Sequence, residues 1–409
     1  MRVVIIGAGI GGLTTALRLH HEGIDCVVYE QSEQISEVGV GINALPHAVK
    51  ELDALGLLDR LDEAGIRTRE LFYTHRLGHE ILRKPCGLDA GFDLPQYSLH
   101  RGRLQGVLLR AVRERLGNNA VRTGHRLTGF EQDSEGIRAH FADRDPVRGD
   151  VLVAADGIHS TVRSILFPEE GPPRWNGVTM WRGATDWPVF GTGASMIIAG
   201  GTAAKLVVYP IAPGKTPDTR LTNWAICIKT GQDGDPPPGR QDWSRRADPA
   251  ELAEYVGRFR MPPVDHAGLV AATEECFEFP MCDRDPLPHW SQGRVTLLGD
   301  AAHPMYPMGS NGAGQAILDA TSLSGRLAEH DDPADALRAY QADRLRATAE
   351  VVTRNRTGGP EMVIDVVERL APEGFSRIED VTGVETLEAI VTRYAQASGS
   401  SQQQVNTPR

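Results

Sequence analysis

Apolar residues fall into three textures along this chain. Short, almost wholly apolar runs occur at Arg2–Ile6, Cys26–Tyr29, Asp150–Ala154 and Arg294–Leu298. Runs of that length without alternation predict strands buried on both faces of a parallel sheet. The first is followed by an amphipathic helix to about His21, which makes a β-α-β unit with the second. Helical spacing recurs over Ala44–Leu55 and Arg103–Leu116, where Leu104, Val107, Leu108 and Val112 share one face. The second texture lies between residues 174 and 229. Apolar and polar positions alternate there over Val178–Ala184, Met196–Ala199, Lys205–Pro210 and Asn223–Ile228, with Gly, Pro and Thr between. That pattern predicts an antiparallel sheet. Residues 231–249 read as an exposed loop. The third texture is helical, from Gly312 to about Asn355 and again to about Gln396. The polar segment Ser398–Arg409 reads as a mobile tail.

The order of these textures predicts an α/β fold in which a Rossmann-like nucleotide domain is interrupted by an inserted antiparallel-sheet domain. The expected nucleotide domain is discontinuous, spanning 1–72, 97–172 and 276–360. The sheet domain takes 73–96 and 173–275, a C-terminal helical region 361–396, and the polar tail 397–409.

At 409 residues the chain is too long for one ordinary core and suits two domains. No apolar run reaches membrane-spanning length. The apolar N-terminus has only Arg2 as a basic flank, and its glycines have nucleotide-binding spacing, so it reads as folded protein rather than a signal peptide. The net charge of −11, with no long basic stretch, argues against nucleic acid and anionic membrane surfaces as partners. Cys26, Cys86, Cys227, Cys276 and Cys282 are scattered without metal or redox spacing. Reduced, packed thiols in a cytoplasmic protein are expected, and no metal site.

Three glycine-and-acid motifs carry the chemistry. In Gly7-x-Gly9-x-x-Gly12, Gly7 permits the tight turn, Gly9 lets backbone approach a pyrophosphate, and Gly12 allows close helix–strand packing. The helix start supplies free N–H groups and a positive partial charge. Glu30, at the end of the second strand, suits the hydroxyls of an adenosine ribose. This motif does not separate NAD from FAD. The second, Asp156-Gly157-Ile158-His159-Ser160-Thr161-Val162-Arg163, discriminates better. The third, Gly299-Asp300, puts a carboxylate at a strand end where a ribityl chain would run, and flavin has such a chain where NAD has none. Beyond it, Pro304 to Gly314 forms a proline-stiffened loop into another helix. N–H groups there would face the N1–C2=O edge of a flavin and favour the charge that reduction places on it. Taken singly, each of the last two motifs is also a strand-to-loop turn with a capping Asp.

In this order, together with His100-Arg101-Gly102-Arg103-Leu104-Gln105, the motifs resemble the class A flavoprotein aromatic hydroxylases, the p-hydroxybenzoate and salicylate hydroxylase family. The resemblance runs from Met1 to about Arg356. Within the family the phenazine-modifying hydroxylases are most alike, through Gly39-Val40-Gly41-Ile42-Asn43, Met180-Trp181-Arg182-Gly183 and Pro280 to Trp290. The resemblance implies an FAD-binding domain. Gly11 and its neighbours, with Glu30 and Gln31, hold the ADP half, and Leu127 makes a backbone contact near the adenine. Asn43 lies beside the flavin and Arg101 near the pyrophosphate and ribityl region. Asp300 serves the ribityl chain, and Gly309, Ser310, Asn311, Gly312 and Ala313 surround the isoalloxazine. Asp156 and Arg163 are implied in both FAD and NAD(P)H binding. The chain departs from many members at Gly314, where they carry Asn.

The implied reaction consumes NADH or NADPH and dioxygen, with a C4a-hydroperoxide of the flavin delivering oxygen to an electron-rich ring. Catalysis is flavin-centred, and among protein residues only the loop prolines Pro304 and Pro307 are assigned to it. Candidates for the substrate wall are Trp181, Arg182, Met196, Tyr209, Trp224 and Phe279, each also explicable as sheet packing. Arg182 either pairs with a substrate carboxylate or forms a structural salt bridge. No histidine stands out as a base on the inserted sheet, which suits a phenazine-like ring needing no deprotonation. If the attacked carbon bears a carboxylate, carbon dioxide would leave. A salicylate or hydroxybenzoate hydroxylase, a flavin reductase or dehydrogenase, and a flavin-binding sensor remain alternatives. The partner is a small aromatic molecule, and the protein a monomer or homodimer.

Overall fold

A computed structural model describes residues 1–37, 39–239 and 245–407. Among them, the nucleotide-binding core is a six-stranded sheet in the order Ser291–Gln292, Val295–Leu297, Val151–Ala154, Arg2–Ile6, Asp25–Tyr29, Val121–Arg122. All neighbours but the first pair run parallel. Its central strands are apolar because helices cover both faces, as parallel sheets require. Ile6 lies level with Ala154, and Ala154 with Leu297. The three motifs therefore leave the carboxyl edge side by side, where ligands of open α/β sheets bind.

The second large sheet has eight strands. Their order is Arg246–Ala247, Cys276–Asp283, Arg174–Pro188, Thr219–Lys229, Ala204–Pro213, Ser195–Ala199, Glu70–Thr74, Glu80–Pro85. It is antiparallel except where Ser195–Ala199 runs parallel to Glu70–Thr74. Two expected boundaries move. Glu70 already belongs to this sheet, and Cys276–Asp283 pairs with Arg174–Pro188 rather than joining the nucleotide domain. The cause is the length of the Arg174–Pro188 strand, whose second edge needs a partner. Part of the expected loop, 240–244, lies outside the described residues, and Arg246–Ala247 adds a short edge strand.

Both faces of this sheet are covered. On one side Trp181, Ile197 and Trp224 pack with Leu252, Phe259 and Leu269. On the other, Met196, Ile198 and Tyr209 pack with Val363, Ile364, Val367 and Leu387 of the helices Met362–Leu370 and Val384–Ala397. A small antiparallel sheet of Gly41–Ala44, Gln96–His100 and Gly65–Thr68 connects the two large ones.

The expectation of a loose polar tail is corrected over most of its length. Gln402–Asn406 is a short helix with Val405 buried. Lys50 donates to the carbonyls of Val405 and Thr407, both at 2.7 Å, which satisfies groups a free helix end would leave to water. Residues 408–409 lie outside the described residues. No helix among the described residues is long and apolar enough to cross a membrane.

Candidate flavin and substrate site

The first glycine turn shows why its residues are glycines. Gly7 has φ +102°, and a Cβ there would stand 2.4 Å from the Ala155 carbonyl oxygen. A Cβ at Gly12 would meet the Gly7 carbonyl oxygen at 2.0 Å. Gly9 has no atom within 4 Å of the position its Cβ would take, and it lines a cavity of about 350 Å³. The helix Ile10–His21 that follows has no side-chain cap and no acid in its first turn. Its first N–H groups thus face an open wall with the polarity a pyrophosphate needs. The Glu30 carboxylate accepts from Ala8 N–H at 2.8 Å and Ser32 N–H at 2.9 Å, which fixes it beside the turn.

Ser160 caps the next helix, and Asp156 accepts from its first N–H, that of Thr161, at 2.8 Å, while the Asp156 Oδ1 is buried without a hydrogen-bond partner. Burial raises the Asp156 pKa, against the opposing pull of its hydrogen bonds. Arg163 is 1% exposed and does not reach the cavity. It donates to the Ala301 and Ala302 carbonyls at 3.0 and 2.8 Å and pairs with Glu170 at 2.5 Å. Its position makes it a clasp between the second and third motifs.

Asp300 presents an exposed carboxylate to the cavity, which the surrounding protein encloses. Burial raises its pKa, and His303 and Arg101 oppose that rise. Desolvation lowers the pKa of Arg101, which Asp300 counteracts. The turn carrying Asp300 is held by Asp319, which the sequence reading missed. Asp319 is fully buried on the helix Gly312–Glu329. It accepts from Gly299 N–H at 3.1 Å, from Arg344 at 2.8 Å, and contacts His303 Nε2 at 2.5 Å. Burial works against the charge of Asp319, yet His303 and Arg344 keep its pKa below the ordinary value.

The loop before Gly312 is tightly wound. Gly309 and Ser310 are both left-handed, at φ +63° and +56°, which is costly for a serine. Asn43 donates to Ser310 Oγ at 3.1 Å and accepts from Ser98 Oγ at 2.6 Å. Tyr394 of the C-terminal region holds the loop from the other side. Its hydroxyl lies 3.0 Å from the Met308 carbonyl, 2.7 Å from Asn355 Oδ1 and 3.2 Å from Asn311 Nδ2. Neither Asp319 nor Tyr394 carried a sequence signal, since each acts across a long stretch of chain.

Of the expected cofactor residues, Gly9, Gly11, Asn43, Arg101, Asp300, Ser310, Gly312 and Ala313 line the cavity, as do Pro304 and Pro307. Gly7, Gly12, Glu30, Asp156, Gly309 and Asn311 stand behind or beside them. Gln31 is exposed and Leu127 is buried in the nucleotide-domain core, and neither lines the cavity.

The cavity continues onto the eight-stranded sheet. Arg182, Met196, Tyr209 and Phe279 line it, with Met180, Ala225, Cys227 and Lys205. Trp181 and Trp224 do not, which corrects their place in the substrate wall. Neighbouring residues of a strand point to opposite faces, so Met180 and Arg182 face the cavity and Trp181 does not. Trp181 donates to Glu278 at 3.0 Å and stacks on Tyr255, and Trp224 donates to Thr273 at 2.8 Å. Arg182 donates to the Gly41 carbonyl, and its buried Nε has no partner. Burial raises the Tyr209 pKa, with Arg182 opposing. Among the described residues no histidine lines the cavity.

The open Gly9 wall, the uncapped helix start and the Asp300 carboxylate fit the pyrophosphate and ribityl chain of FAD, and the fold with this site defines a flavin-dependent oxidoreductase. The chain belongs to the FAD binding domain family, whose model matches residues 1–355. It is 43% identical over 369 residues to phenazine 1,6-dicarboxylic acid hydroxylase PhzS of Lysobacter antibioticus, covering 87% of this chain and 89% of that protein. It is 32% identical to 3-hydroxybenzoate 6-hydroxylase 1 of Aquipseudomonas alcaligenes, over 87% of each. Klebsiella pneumoniae HpxO, solved with FAD and uric acid, superposes with a TM-score of 0.78 at 26% identity, covering 98% of this chain and 97% of that one. This protein is a flavin-dependent aromatic monooxygenase of class A.

Proposed function

We propose that this enzyme hydroxylates a phenazine-like aromatic carboxylic acid, using FAD, NADH or NADPH, and dioxygen. The observation that carries the substrate class is Arg182: a cation in the cavity floor, among apolar side chains, with a buried donor unused. A guanidinium so placed recognises a carboxylate through charge-assisted hydrogen bonds. The similarity to a phenazine dicarboxylate hydroxylase supports the same reading.

Bound FAD would supply the redox chemistry, namely hydride acceptance from the nicotinamide and activation of dioxygen. Gly9, Gly11 and the uncapped helix start would hold its pyrophosphate, Asp300 and Arg101 its ribityl chain, and Ser310, Gly312 and Ala313 its ring. Arg182 orients the aromatic acid, and the apolar floor of Met180, Ala225, Cys227 and Val207 excludes water from the reacting face. Tyr209, whose pKa is raised, stays protonated and serves as a hydrogen-bond donor rather than a base. An electron-rich heteroaromatic ring needs no base. Where the attacked carbon bears the carboxylate, carbon dioxide leaves. We place the enzyme in the cytoplasm, as a monomer or homodimer.

The test is a screen of phenazine carboxylates, salicylates and hydroxybenzoates with the FAD-loaded protein. Substrate-stimulated NADH oxidation, one labelled oxygen atom in the product and carbon dioxide per NADH are measured. Stimulation without label in the product would make the protein a flavin reductase instead.

A further inference from the structure

A second cation faces the same cavity and differs from Arg182 in its partners. Lys205 is 4% exposed, and its ammonium donates to Glu361, itself 6% exposed. The ammonium also lies 2.9 Å from the Met308 sulfur. The other Glu361 oxygen accepts from Gly309 N–H at 3.3 Å. Burial works against the charge of Lys205, but Glu361, with smaller contributions from Cys227 and Asp365, offsets it, and the lysine pKa lies above its ordinary value. This end of the cavity is thus a closed pair with no net charge. Arg182 has no carboxylate within ion-pair reach among the described residues. Counting Arg182 and Lys205 against Glu361, the substrate end of the cavity carries one uncompensated positive charge.

The sheet register sets the distance between the two cations. Arg182 lies opposite Ala225, and Ala225 opposite Val207, while Lys205 lies opposite Cys227. The two are therefore two strands and two residues apart, about 12 Å between Cα atoms from ordinary sheet spacing. The residues between them, Ala225, Cys227 and Val207, present an apolar floor to a flat ring.

We propose that the Lys205–Glu361 pair limits the substrate to a single carboxylate, which Arg182 takes, with Glu361 excluding a second. The proposal rests on the aromatic-acid reading above. A second carboxylate arriving at this end would meet Glu361 in a dry site. It would have to displace Glu361 from Lys205 or take up a proton, and either is costly. A like charge placed against the wrong ligand is a common device of specificity. On this reading the enzyme differs from the Lysobacter relative, whose name gives a dicarboxylic acid.

Binding of phenazine-1-carboxylate and phenazine-1,6-dicarboxylate to the FAD-loaded enzyme is followed by the absorbance change of the flavin, alongside kcat/KM for each. The wild type is expected to favour the monoacid by at least about tenfold, and Glu361→Gln to move that ratio about tenfold or more toward the diacid. The double variant K205M/E361Q, which restores the net charge, should return the ratio to the wild-type side. Ratios do not depend on how much protein folds, and the wild-type ratio stands even if a variant does not fold. Equal use of both acids by the wild type would overturn the proposal. So would a ratio unmoved in E361Q, or a double variant as tolerant of the diacid as E361Q, which would make space rather than charge the cause. If hydroxybenzoates are hydroxylated but neither phenazine acid binds, the phenazine proposal falls. If no aromatic acid binds or reacts, the function reading falls with it.

Discussion

The Arg163 guanidinium donates to the Ala302 carbonyl at 2.8 Å, so one buried side chain joins the Asp156-Gly157 motif to the Gly299-Asp300 motif. The same group meets Glu170 at 2.5 Å, and Arg284 reaches Glu170 at 3.0 Å. Replacing Arg163 by Met leaves the Ala301, Ala302 and Asp285 carbonyls short of a donor and Glu170 with Arg284 alone. Loss of one partner from a buried pair costs about 3–5 kcal/mol where the other charge is left alone, and less here because Arg284 stays on Glu170. Arg163→Met should therefore melt well below the wild type and lose FAD on gel filtration. Arg163→Lys should recover only part of the loss, because a single ammonium cannot serve the fork of acceptors. Thermal melts and the flavin-to-protein absorbance ratio measure both effects.

The alternating faces of Met180-Trp181-Arg182 separate binding from stability. Arg182→Met should raise the dissociation constant of an aromatic carboxylate by about 10- to 100-fold, the range for one charge-assisted hydrogen bond. The melting temperature should change little. Trp181→Leu removes the hydrogen bond to Glu278 and the stack on Tyr255 on the far face. It should lower stability while leaving substrate affinity near the wild-type value. A flavin absorbance titration with each variant decides this, and a large affinity loss in Trp181→Leu would contradict the facing described here.

What was legible in the sequence follows from this geometry. The glycine turns were readable because backbone atoms touch there, as at Gly7 and Gly12, and few other residues fit. The parallel strands were readable because both faces are buried. The substrate wall was half readable. Its sheet is covered on both sides, so Met180 and Trp181 are equally apolar and alternation gave no sign of which face holds the cavity. Asp319, Glu361 and Tyr394 were not readable, since they act on loops far away in sequence. The helix at Gln402–Asn406 was missed because its anchoring is chiefly polar, through Lys50 and Gly91.

Asp319 makes acid stability a measurable signature of the site. Its folded pKa lies below the ordinary value of 3.8. A depressed carboxylate contributes stability that is fully present above its unfolded pKa and is lost as pH falls through its folded value. Asp319→Asn should therefore be less stable than the wild type at neutral pH. The gap should narrow as pH falls below about 4, because the wild type then loses what the variant already lacks. Urea denaturation across that range measures it. A gap that stays constant with pH would mean the carboxylate charge contributes nothing.

Tyr394 gives the C-terminal helices a role in the flavin site. Its hydroxyl bridges Met308, Asn311 and Asn355, and its ring stands 2.6 Å from where a Cβ of Gly309 would lie. The left-handed conformation of Ser310 is intrinsically costly, so an outside brace helps to hold the loop. Tyr394→Phe keeps the ring but strands buried polar partners, at a cost of about 1–3 kcal/mol. If the hydroxyl braces the loop, that cost appears as weaker FAD retention and more hydrogen peroxide per NADH, because a looser loop admits water to the reacting face. Gly309→Ala should do the same by pushing the ring and its hydroxyl together away from the loop. If both variants lose global stability but keep wild-type FAD affinity and coupling, Tyr394 is only a packing residue and the loop supports itself.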